Sequence, residues 1–436
     1  MKRALTLAAS VLALVSGAAN AQDIAITNAT VATGDGSAPI DNATVIIRGG
    51  KVVAVGQEVR PDPAIPTLDG TGTWVTPGLF ATVTTLGIWD VGAVTQSNDT
   101  SASGSPFSAA LDVAPIVNPN SQHIAIHRAA GITRAATTTG PSGSIFGGQG
   151  AVIDLDADGE PITKARAFQI VDLGEGGARR AGGSRASAHI LFRAALREAQ
   201  ALIGKRGTPQ TTEIVKDDEV MLSRFDAEAL KPVVAGNQKL FVAVERAADI
   251  RSVLALKTEF PRVDLVLVGA SEGWLVASEI AQAGVPVLAD ALDALPTGFD
   301  ELAATQSNIG RMKAAGVLVG INVSGAENPR RLAQHAGNLV GLARMPGATG
   351  LSWGEALASI SSIPAKISGM GGKAGVLKRG AFGDLVIWDG DPLEVSSAPV
   401  RVYIDGVEQP LDNHQSRLRE RYRDLDESDL PKAYDW

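Results

Sequence analysis

Five histidines are the only imidazole side chains that could bind a metal ion or act as a general base in this 436-residue chain. His123 and His127 are spaced i, i+4 on a predicted helix, a spacing that lets two imidazoles bind one zinc ion. No acidic third ligand stands beside them, and a helix preceding a strand belongs on the outside of a parallel sheet. We therefore expect an exposed amphipathic helix here. His189 and His335 are expected on outer helices as surface or packing residues, and His414 in a solvated tail.

Other familiar catalytic patterns are missing from the sequence. Cysteine is absent, which excludes disulfides and thiolate zinc sites. There is no Gly-x-Ser-x-Gly elbow and no phosphate loop. Residues 147–150 are rich in glycine, but they lack the Lys-Ser/Thr pair of a phosphate loop, so we interpret them as a structural loop.

Composition and charge narrow the class of protein. The chain is 45% hydrophobic and 20% charged, which is typical of a soluble globular protein with one large domain and a smaller one. The formal net charge is −8, and no polybasic run is present. Nucleic acid and an anionic membrane are therefore not expected partners.

The first 21 residues have the pattern of a secretory signal peptide. Lys2 and Arg3 form a basic start, residues 4–15 are apolar, and residues 19–21 form a small-x-small cleavage site. The apolar stretch is too short to cross a bilayer about 30 Å thick. We expect a secreted, periplasmic protein whose mature chain begins near Gln22 and keeps no membrane segment.

The middle of the chain alternates between short apolar strands and amphipathic helices. Strands are predicted at residues 79–84, 132–137, 240–244, 263–268, 285–289 and 317–321. Helices are predicted at residues 120–130, 186–202, 248–260, 271–284, 300–315 and 328–342. This alternation predicts a parallel sheet, and roughly eight such units favour a (β/α)8 TIM-like barrel. Residues 174–183 and 205–222 are predicted to be loops.

The two ends of the chain differ from the middle, because their sequences predict short strands and tight turns. Residues 24–59, 383–388 and 400–404 predict one small composite β-sandwich domain built from both termini. The predicted division is a signal peptide (1–21), the N-terminal part of the β domain (22–75), the barrel (76–370), the C-terminal part of the β domain (371–412) and a polar tail (413–436).

Three segments carry a family resemblance. Residues 74–87 resemble the opening of the amidohydrolase superfamily, residues 375–393 resemble its C-terminal signature, and residues 363–369 resemble the helix before it. Residues 245–250 and 268–274 are similar to the imidazolonepropionase-like branch, which includes secreted dipeptidases acting on X-Pro bonds. The resemblance implies a (β/α)8 barrel with one or two zinc ions at its C-terminal mouth, where a metal-bound water attacks an amide carbon.

The resemblance also shows that the implied metal ligands are replaced. The family's two early histidines, its two strand-end histidines and its late aspartate fall on Val83, Thr85, Ala243, Gly269, and Asn322 or Val323. None of these is His, Asp, Glu or Cys, the residues that bind zinc in proteins. We therefore expect no metal cofactor.

Glu245, Arg246 and Glu272 are the remaining weak candidates for catalysis, because they stand within a few residues of the replaced positions. A glutamate there could act as a general base and an arginine could hold a carboxylate. The alternative is a structural ion pair between Arg246 and Glu245 beneath the loops.

Two functional hypotheses follow. The first is a catalytically degenerate amidohydrolase that acts through binding or assembly, as a homo-oligomer or as a hetero-oligomer with an intact family member. The second is an active hydrolase of C–N bonds, in X-Pro dipeptides or cyclic amides, with a rebuilt or metal-free site.

Overall fold

A computed structural model of the protein describes residues 21–157, 159–203, 222–323 and 328–423. The predicted loop at 205–222 lies outside these residues except for its last position. The same holds for almost all of the predicted signal peptide and for residues 424–436 of the tail. Within the described part of the chain, no helix has both the length and the apolar character needed to cross a membrane.

The smaller unit is a sheet built from both ends of the chain. The N-terminal part contributes the five strands β1 (Ile24–Val31), β2 (Ile40–Arg48), β3 (Lys51–Gly56), β4 (Thr67–Asp69) and β5 (Trp74–Pro77). The C-terminal part contributes β14 (Leu385–Trp388), β15 (Pro399–Ile404) and β16 (Val407–Glu408). Antiparallel pairing of β14 with β5 joins the two parts. The composite origin agrees with the prediction.

The prediction of a β-sandwich is corrected by the hydrogen-bond pattern. All eight strands belong to one sheet, in the order β16-β15-β14-β5-β1-β2-β3, with β4 paired to β1. The strand β1 holds β4 and β5 along successive parts of its length because it is bulged after Ile26 and Ala29. Because β1 is irregular, the strands form one branched sheet and not the two sheets that a sandwich would have.

The larger unit is a curled sheet of eight strands. In chain order these are β6 (Leu79–Thr84), β7 (Ile132–Thr137), β8 (Phe146–Asp154), β9 (Ile162–Asp172), β10 (Lys239–Val244), β11 (Asp264–Gly269), β12 (Val287–Ala289) and β13 (Val319–Ile321). Neighbours in sequence are neighbours in the sheet. The fold is α/β and barrel-like, as expected.

Twelve α-helices accompany the two sheets in the described residues. They are α1 (Gln122–Ala129), α2 (Glu175–Arg180), α3 (Arg185–Ala201), α4 (Arg224–Val234), α5 (Ala247–Leu254), α6 (Leu256–Glu259), α7 (Ala277–Ala283), α8 (Asn308–Ala314), α9 (Leu332–Leu342), α10 (Trp353–Ser359), α11 (Ser362–Ile367) and α12 (His414–Arg421). Short 3-10 helices lie at Thr95–Ser97, Ala114–Ile116, Gly273–Val276 and Pro329–Arg331.

Eight regular β/α units were the wrong prediction. The strand β8 runs antiparallel to both β7 and β9, and the described residues form no helix between these three strands. The glycine-rich residues 147–150 lie inside β8, where the sequence favoured a loop. Glycine is depleted in strands, but here it is required by close packing: a Cβ on Gly150 would lie 2.1 Å from the ring of Phe168. Residues 174–183, also expected to be a loop, contain α2.

Among the described residues, strand pairing does not close the curled sheet into a complete barrel. The strands β6 and β13 are the two edges of the sheet. Helix α11 contacts both of them, and its Ala365 and Ile367 belong to the apolar cluster inside the barrel. The parallel strands therefore still direct their C-terminal ends to one face, which is the face where such barrels carry their sites.

The candidate site at the barrel mouth

The interior of the barrel is filled by apolar side chains up to the mouth. Phe168 and Phe241 stack at its centre with ring centroids 4.3 Å apart. Val83 and Ala243, two of the replaced ligand positions, pack against this interior cluster. Burying hydrocarbon there stabilises the fold by roughly 25 cal/mol per Å2 of apolar surface removed from water. Two positions that would hold a metal are thus part of a hydrophobic core.

Gly269 is the replaced position with the most informative surroundings. It ends β11 in a left-handed conformation, with φ at +88°. A Cβ built on it would lie 1.9 Å from Oε1 of Glu245 and 2.5 Å from its Cδ. The space in which a histidine side chain would begin is therefore occupied by the Glu245 carboxyl. Any larger residue at position 269 requires Glu245 to move.

Glu245 follows β10 and is half-buried at the mouth. Its Oε2 accepts hydrogen bonds from the backbone N–H of Ser271 at 2.9 Å and from the Ser271 hydroxyl at 2.7 Å. Burial raises the pKa of Glu245 to about 7, and the charges of Glu301 and Asp293 act in the same direction against the two hydrogen bonds. At neutral pH this carboxyl is therefore divided between its two protonation states.

Asp293 is a second acidic group beside Glu245, and the sequence did not single it out. The Ser271 hydroxyl lies 3.5 Å from Asp293 Oδ2. Burial, together with the neighbouring charges of Asp290 and Glu301, raises the pKa of Asp293 to about 6. Asp293 lies in the long connection after β12, where no periodic pattern marks it.

Glu272 has a structural role. It is buried, and its two oxygens accept backbone hydrogen bonds from Ala247 at 3.0 Å and Ala303 at 3.1 Å. The first bond holds the start of α5 and the second holds the loop after β12. Both oxygens of Glu272 are occupied, so the side chain fixes the rim of the mouth.

Arg246 also departs from the expected pairing. Its guanidinium binds both oxygens of Asp249, at 3.1 Å and 2.8 Å. Asp249 lies one helical turn later and also stands 2.9 Å from Nε of Arg185. Glu245 is bound by Ser271 instead. The predicted ion pair between Arg246 and Glu245 is thus wrong, because a closer carboxylate on the same helix satisfies the arginine.

The remaining replaced positions bind neighbouring residues or pack in the core. The Thr82 hydroxyl, from the strand that carries Val83, lies 3.3 Å from Oδ1 of Asn322. Val323 is buried in the outer hydrophobic core. The backbone carbonyl of Thr85 accepts from Ile88 in a tight turn. Val83 has φ at +49°, in the left-handed region that a β-branched residue rarely enters.

The histidines lie away from this site or serve packing. His123 stacks on Trp89 at 3.8 Å between ring centroids. His127, on the same helix, is buried and lies 2.6 Å from the carbonyl oxygen of His123, so the helix is packed where an exposed one was expected. His189 is half-exposed on α3.

The last two histidines differ in their surroundings. His335 is buried on α9, with Nδ1 3.7 Å from an oxygen of Asp290, and burial lowers its pKa. His414 is exposed at the start of α12, as predicted for a solvated tail.

A zinc centre of the kind implied by the resemblance does not fit these residues. Two of its positions are hydrocarbon side chains of the core, and a third lies under the carboxyl of Glu245. Across the described ranges, no three His, Cys, Asp or Glu side chains are grouped so that they could hold a metal ion. The geometry supplies a carboxyl–hydroxyl pair at the place of a metal cluster.

Comparison with known proteins decides the family. The sequence model of the Amidohydrolase family matches residues 154–408, more than half of the chain. The chain belongs to the amidohydrolase family. Among solved structures, an amidohydrolase from Thermotoga maritima MSB8 is similar with a TM-score of 0.76 and 25% identity, covering 88% of this chain and 99% of that one.

More distant amidohydrolase structures show the shared fold. A prolidase complexed with N-methylphosphonate-L-proline is 16% identical with a TM-score of 0.51, covering 89% of this chain and 99% of that chain. A triazine hydrolase from Arthobacter aurescens is 16% identical with a TM-score of 0.52, covering 92% of this chain and 97% of that chain.

One curated relative matches over a short segment. The amidohydrolase tasK of Hapsidospora irregularis is 50% identical over 60 residues, which are 14% of this chain and 6% of that protein. The match spans a small part of the relative, whose full length is more than twice that of this chain.

Proposed function

We propose that this chain is a catalytically degenerate amidohydrolase that acts through binding or assembly. The observation that carries the proposal is the Glu245 carboxyl over Gly269, in the space that a metal-binding side chain would need. Without a bound metal, nothing at the mouth lowers the pKa of a water molecule from 15.7 toward neutrality. The packed interior around Val83 and Ala243 supports the same conclusion, because hydrocarbon has replaced two further ligands.

The rim of the mouth offers a surface for assembly. The loop after β12 presents Leu295, Phe299 and Leu302 to solvent, with 78%, 83% and 65% of their surfaces exposed. The loop is fixed in place: the N–H of Phe299 donates to Glu175 at 3.0 Å, and the N–H of Ala303 donates to Glu272 at 3.1 Å. Exposed apolar groups on an ordered loop mark interaction surfaces in soluble proteins.

The partner we propose is an intact amidohydrolase of the same branch, with self-association as the alternative. The experiment is sedimentation velocity of the mature protein, alone and mixed with an intact secreted amidohydrolase from the same source. A heterocomplex that is lost in Leu295→Asp/Phe299→Asp supports the proposal. Val400→Asp is the control, because Val400 is an exposed apolar residue on strand β15 of the smaller sheet.

Each outcome of the sedimentation experiment has a meaning. A homodimer that is lost in the same double variant would keep assembly as the function and change the partner. Monomers in every mixture would contradict the proposal of assembly through this rim.

A metal-free hydrolase is the second candidate, favoured by the Glu245–Ser271 pair. A carboxyl with a pKa near 7, hydrogen-bonded to a hydroxyl at 2.7 Å, is the arrangement of a general base beside a nucleophile. X-Pro dipeptides and cyclic amides are the substrates to screen. Turnover that is abolished in Glu245→Gln and in Ser271→Ala would establish this candidate, and absence of turnover with both substrate classes would remove it.

We also propose that the protein is secreted to the periplasm. The basic, apolar and small-residue regions of residues 1–21 support this. Intact-mass measurement of the exported protein should give a chain that begins near Gln22. Recovery of the full-length chain from the cytoplasm would contradict it.

A further inference from the structure

We propose an anion-binding site at the opposite end of the barrel from the mouth, suited to the phosphoryl group of a small molecule. It is built on the glycine-rich turn at residues 368–373, which follows α11. The lysines that contribute to the site are Lys164, Lys366 and Lys378. The proposal is independent of what happens at the barrel mouth.

The position of the turn follows from the strands beside it. Lys366 lines a cavity of about 320 Å3 together with Lys239, Val285 and Leu318. Lys239 begins β10, and Val285 and Leu318 lie just before β12 and β13. These are N-terminal strand ends, whereas Glu245 and Gly269 stand at C-terminal ends. The turn and the mouth therefore lie on opposite faces.

Lysine side chains from separate elements converge on this turn. Lys164, on β9, places its ammonium nitrogen 3.3 Å from the point where a Cβ on Gly369 would stand. The ammonium nitrogen of Lys378 lies 2.7 Å from the corresponding point on Gly372, and the stem of Lys366 lies against Gly371. Glycine permits this approach because a side chain would occupy the space of the ammonium groups.

These lysines have no counter-charge in the described residues. Lys239 nearby is neutralised by Asp264, with Nζ and Oδ2 2.6 Å apart. Lys164, Lys366 and Lys378 form no such pair among the described residues. The chain as a whole carries a formal charge of −8. An unpaired positive cluster attracts an anion locally, even in a protein whose net charge is negative.

The backbone of the turn adds two donors. Among the described residues, the N–H groups of Gly371 and Gly372 donate to no carbonyl or side chain. Gly372 has φ at +73°, and successive N–H groups in such turns form a concavity that binds anions. Ammonium groups and N–H donors that meet at one turn supply the charge-assisted hydrogen bonds that a phosphoryl group accepts.

The adjoining cavity indicates a small molecule as the source of that phosphoryl group. Its volume is at the lower end of the range for ligand pockets, which run from about 300 Å3. Lys366 borders both the cavity and the turn, so an organic group could occupy the cavity while its phosphoryl group contacts the lysines.

Isothermal titration calorimetry with inorganic phosphate and with pyrophosphate tests the site on the full mature protein at low salt. We expect saturable binding at one site, weakened as salt rises. Lys164→Ala/Lys378→Ala should reduce the affinity by about tenfold or more, since each lost charge-assisted hydrogen bond is a large fraction of such binding. Arg179→Ala is the control, since it removes one positive charge at an exposed arginine of helix α2 near the mouth.

Three outcomes would overturn the proposal. One is absence of saturable binding of either anion by the wild-type protein. A second is equal affinity in wild type and Lys164→Ala/Lys378→Ala, with circular dichroism showing both folded. A third is co-sedimentation with vesicles of anionic lipid without binding of the soluble anions, which would assign the charge cluster to a membrane surface.

Discussion

The Glu245 carboxyl stands over Gly269, so close that a Cβ on the glycine would lie 1.9 Å from Oε1. The resemblance of residues 268–274 to the family implies a histidine at the position of Gly269. Replacement of the histidine and placement of the glutamate are therefore sterically linked: the carboxyl fits because the side chain at 269 is missing. Ser271, two residues later, secures the carboxyl with two hydrogen bonds.

The steric link predicts a specific coupling between two substitutions. Gly269→Ala should destabilise the protein by about 2–4 kcal/mol, because a left-handed φ strains an L-residue and the new Cβ clashes with Glu245. Adding Glu245→Ala should recover about 1–2 kcal/mol of that loss beyond the additive expectation. Chemical denaturation of the two single variants and the double variant measures the coupling.

Gly284 supplies the control for this cycle. It is also left-handed, with φ at +62°, but nothing lies within 4 Å of a Cβ built on it. Gly284→Ala should therefore show the strain alone and no coupling to Glu245→Ala. Coupling of equal size at both glycines would mean that the clash at Gly269 is not the cause.

The raised pKa of Glu245 predicts that the contribution of this residue to stability falls as pH rises. A carboxyl whose pKa rises to about 7 on folding contributes stability at low pH and loses it as pH rises through 7. Glu245→Gln keeps an oxygen acceptor for Ser271 and removes the charge. Its thermal midpoint should exceed that of the wild type at pH 8 by about 1–3 °C, and the difference should shrink toward pH 5.

Thermal unfolding from pH 5 to pH 8 checks this prediction. Glu228→Gln is the control, because Glu228 is an exposed glutamate paired with Arg224 on helix α4. A gain in Glu245→Gln that is independent of pH would contradict the assigned cause.

The left-handed conformation of Val83 predicts that glycine at this position gives a more stable protein than alanine. At a right-handed or extended position, alanine is more stable than glycine by about 0.5–1 kcal/mol. Val83 has φ at +49°, where glycine is favoured by about 1–2 kcal/mol over a residue with a Cβ. Val83→Gly should therefore be more stable than Val83→Ala.

The reverse order is expected at Val242, which is buried in the middle of β10. Val242→Ala should be more stable than Val242→Gly. Denaturant unfolding of the four variants compares the two sites directly. If Val83→Ala is the more stable variant at position 83, the left-handed conformation of Val83 is wrong.

Glu272 is predicted to act on the rim and not on a substrate. Glu272→Ala leaves the N–H groups of Ala247 and Ala303 without their acceptors, which should cost about 1–3 kcal/mol. Hydrogen exchange should rise at both amides and at neighbouring residues of the loop that carries Phe299. Unchanged exchange at Ala303 would show that the loop is held by other contacts.

Much of the architecture could be predicted from sequence because the spacing of apolar residues indicates which residues are buried. The strands at residues 79–84 and 132–137 lie where predicted, and the composite β sheet follows from turn residues at both ends. The strand β8 was missed because its glycines, which allow the ring of Phe168 to approach, have the composition of a loop. The local sequence pattern does not indicate such a tertiary contact.

The site was predicted only in part for a related reason. Glu245 could be singled out because it stands close to a replaced ligand in a recognisable segment. Its contact with Gly269, 24 residues later, depends on the parallel pairing of β10 with β11. Arg246 binds Asp249 and not Glu245, and Asp293 lies beside Ser271. Both contacts depend on side-chain directions, which cannot be read from the sequence.

Metal content of the mature protein tests the central claim most directly. The protein is purified without a histidine tag, incubated with zinc, manganese or iron, desalted, and measured by inductively coupled plasma mass spectrometry beside an intact amidohydrolase treated in the same way. The structure predicts less than about a tenth of an equivalent of any of these metals, because Val83, Ala243 and Gly269 offer no ligand atoms. About one or two equivalents in this protein would contradict the account and assign the chain to the active metallohydrolases.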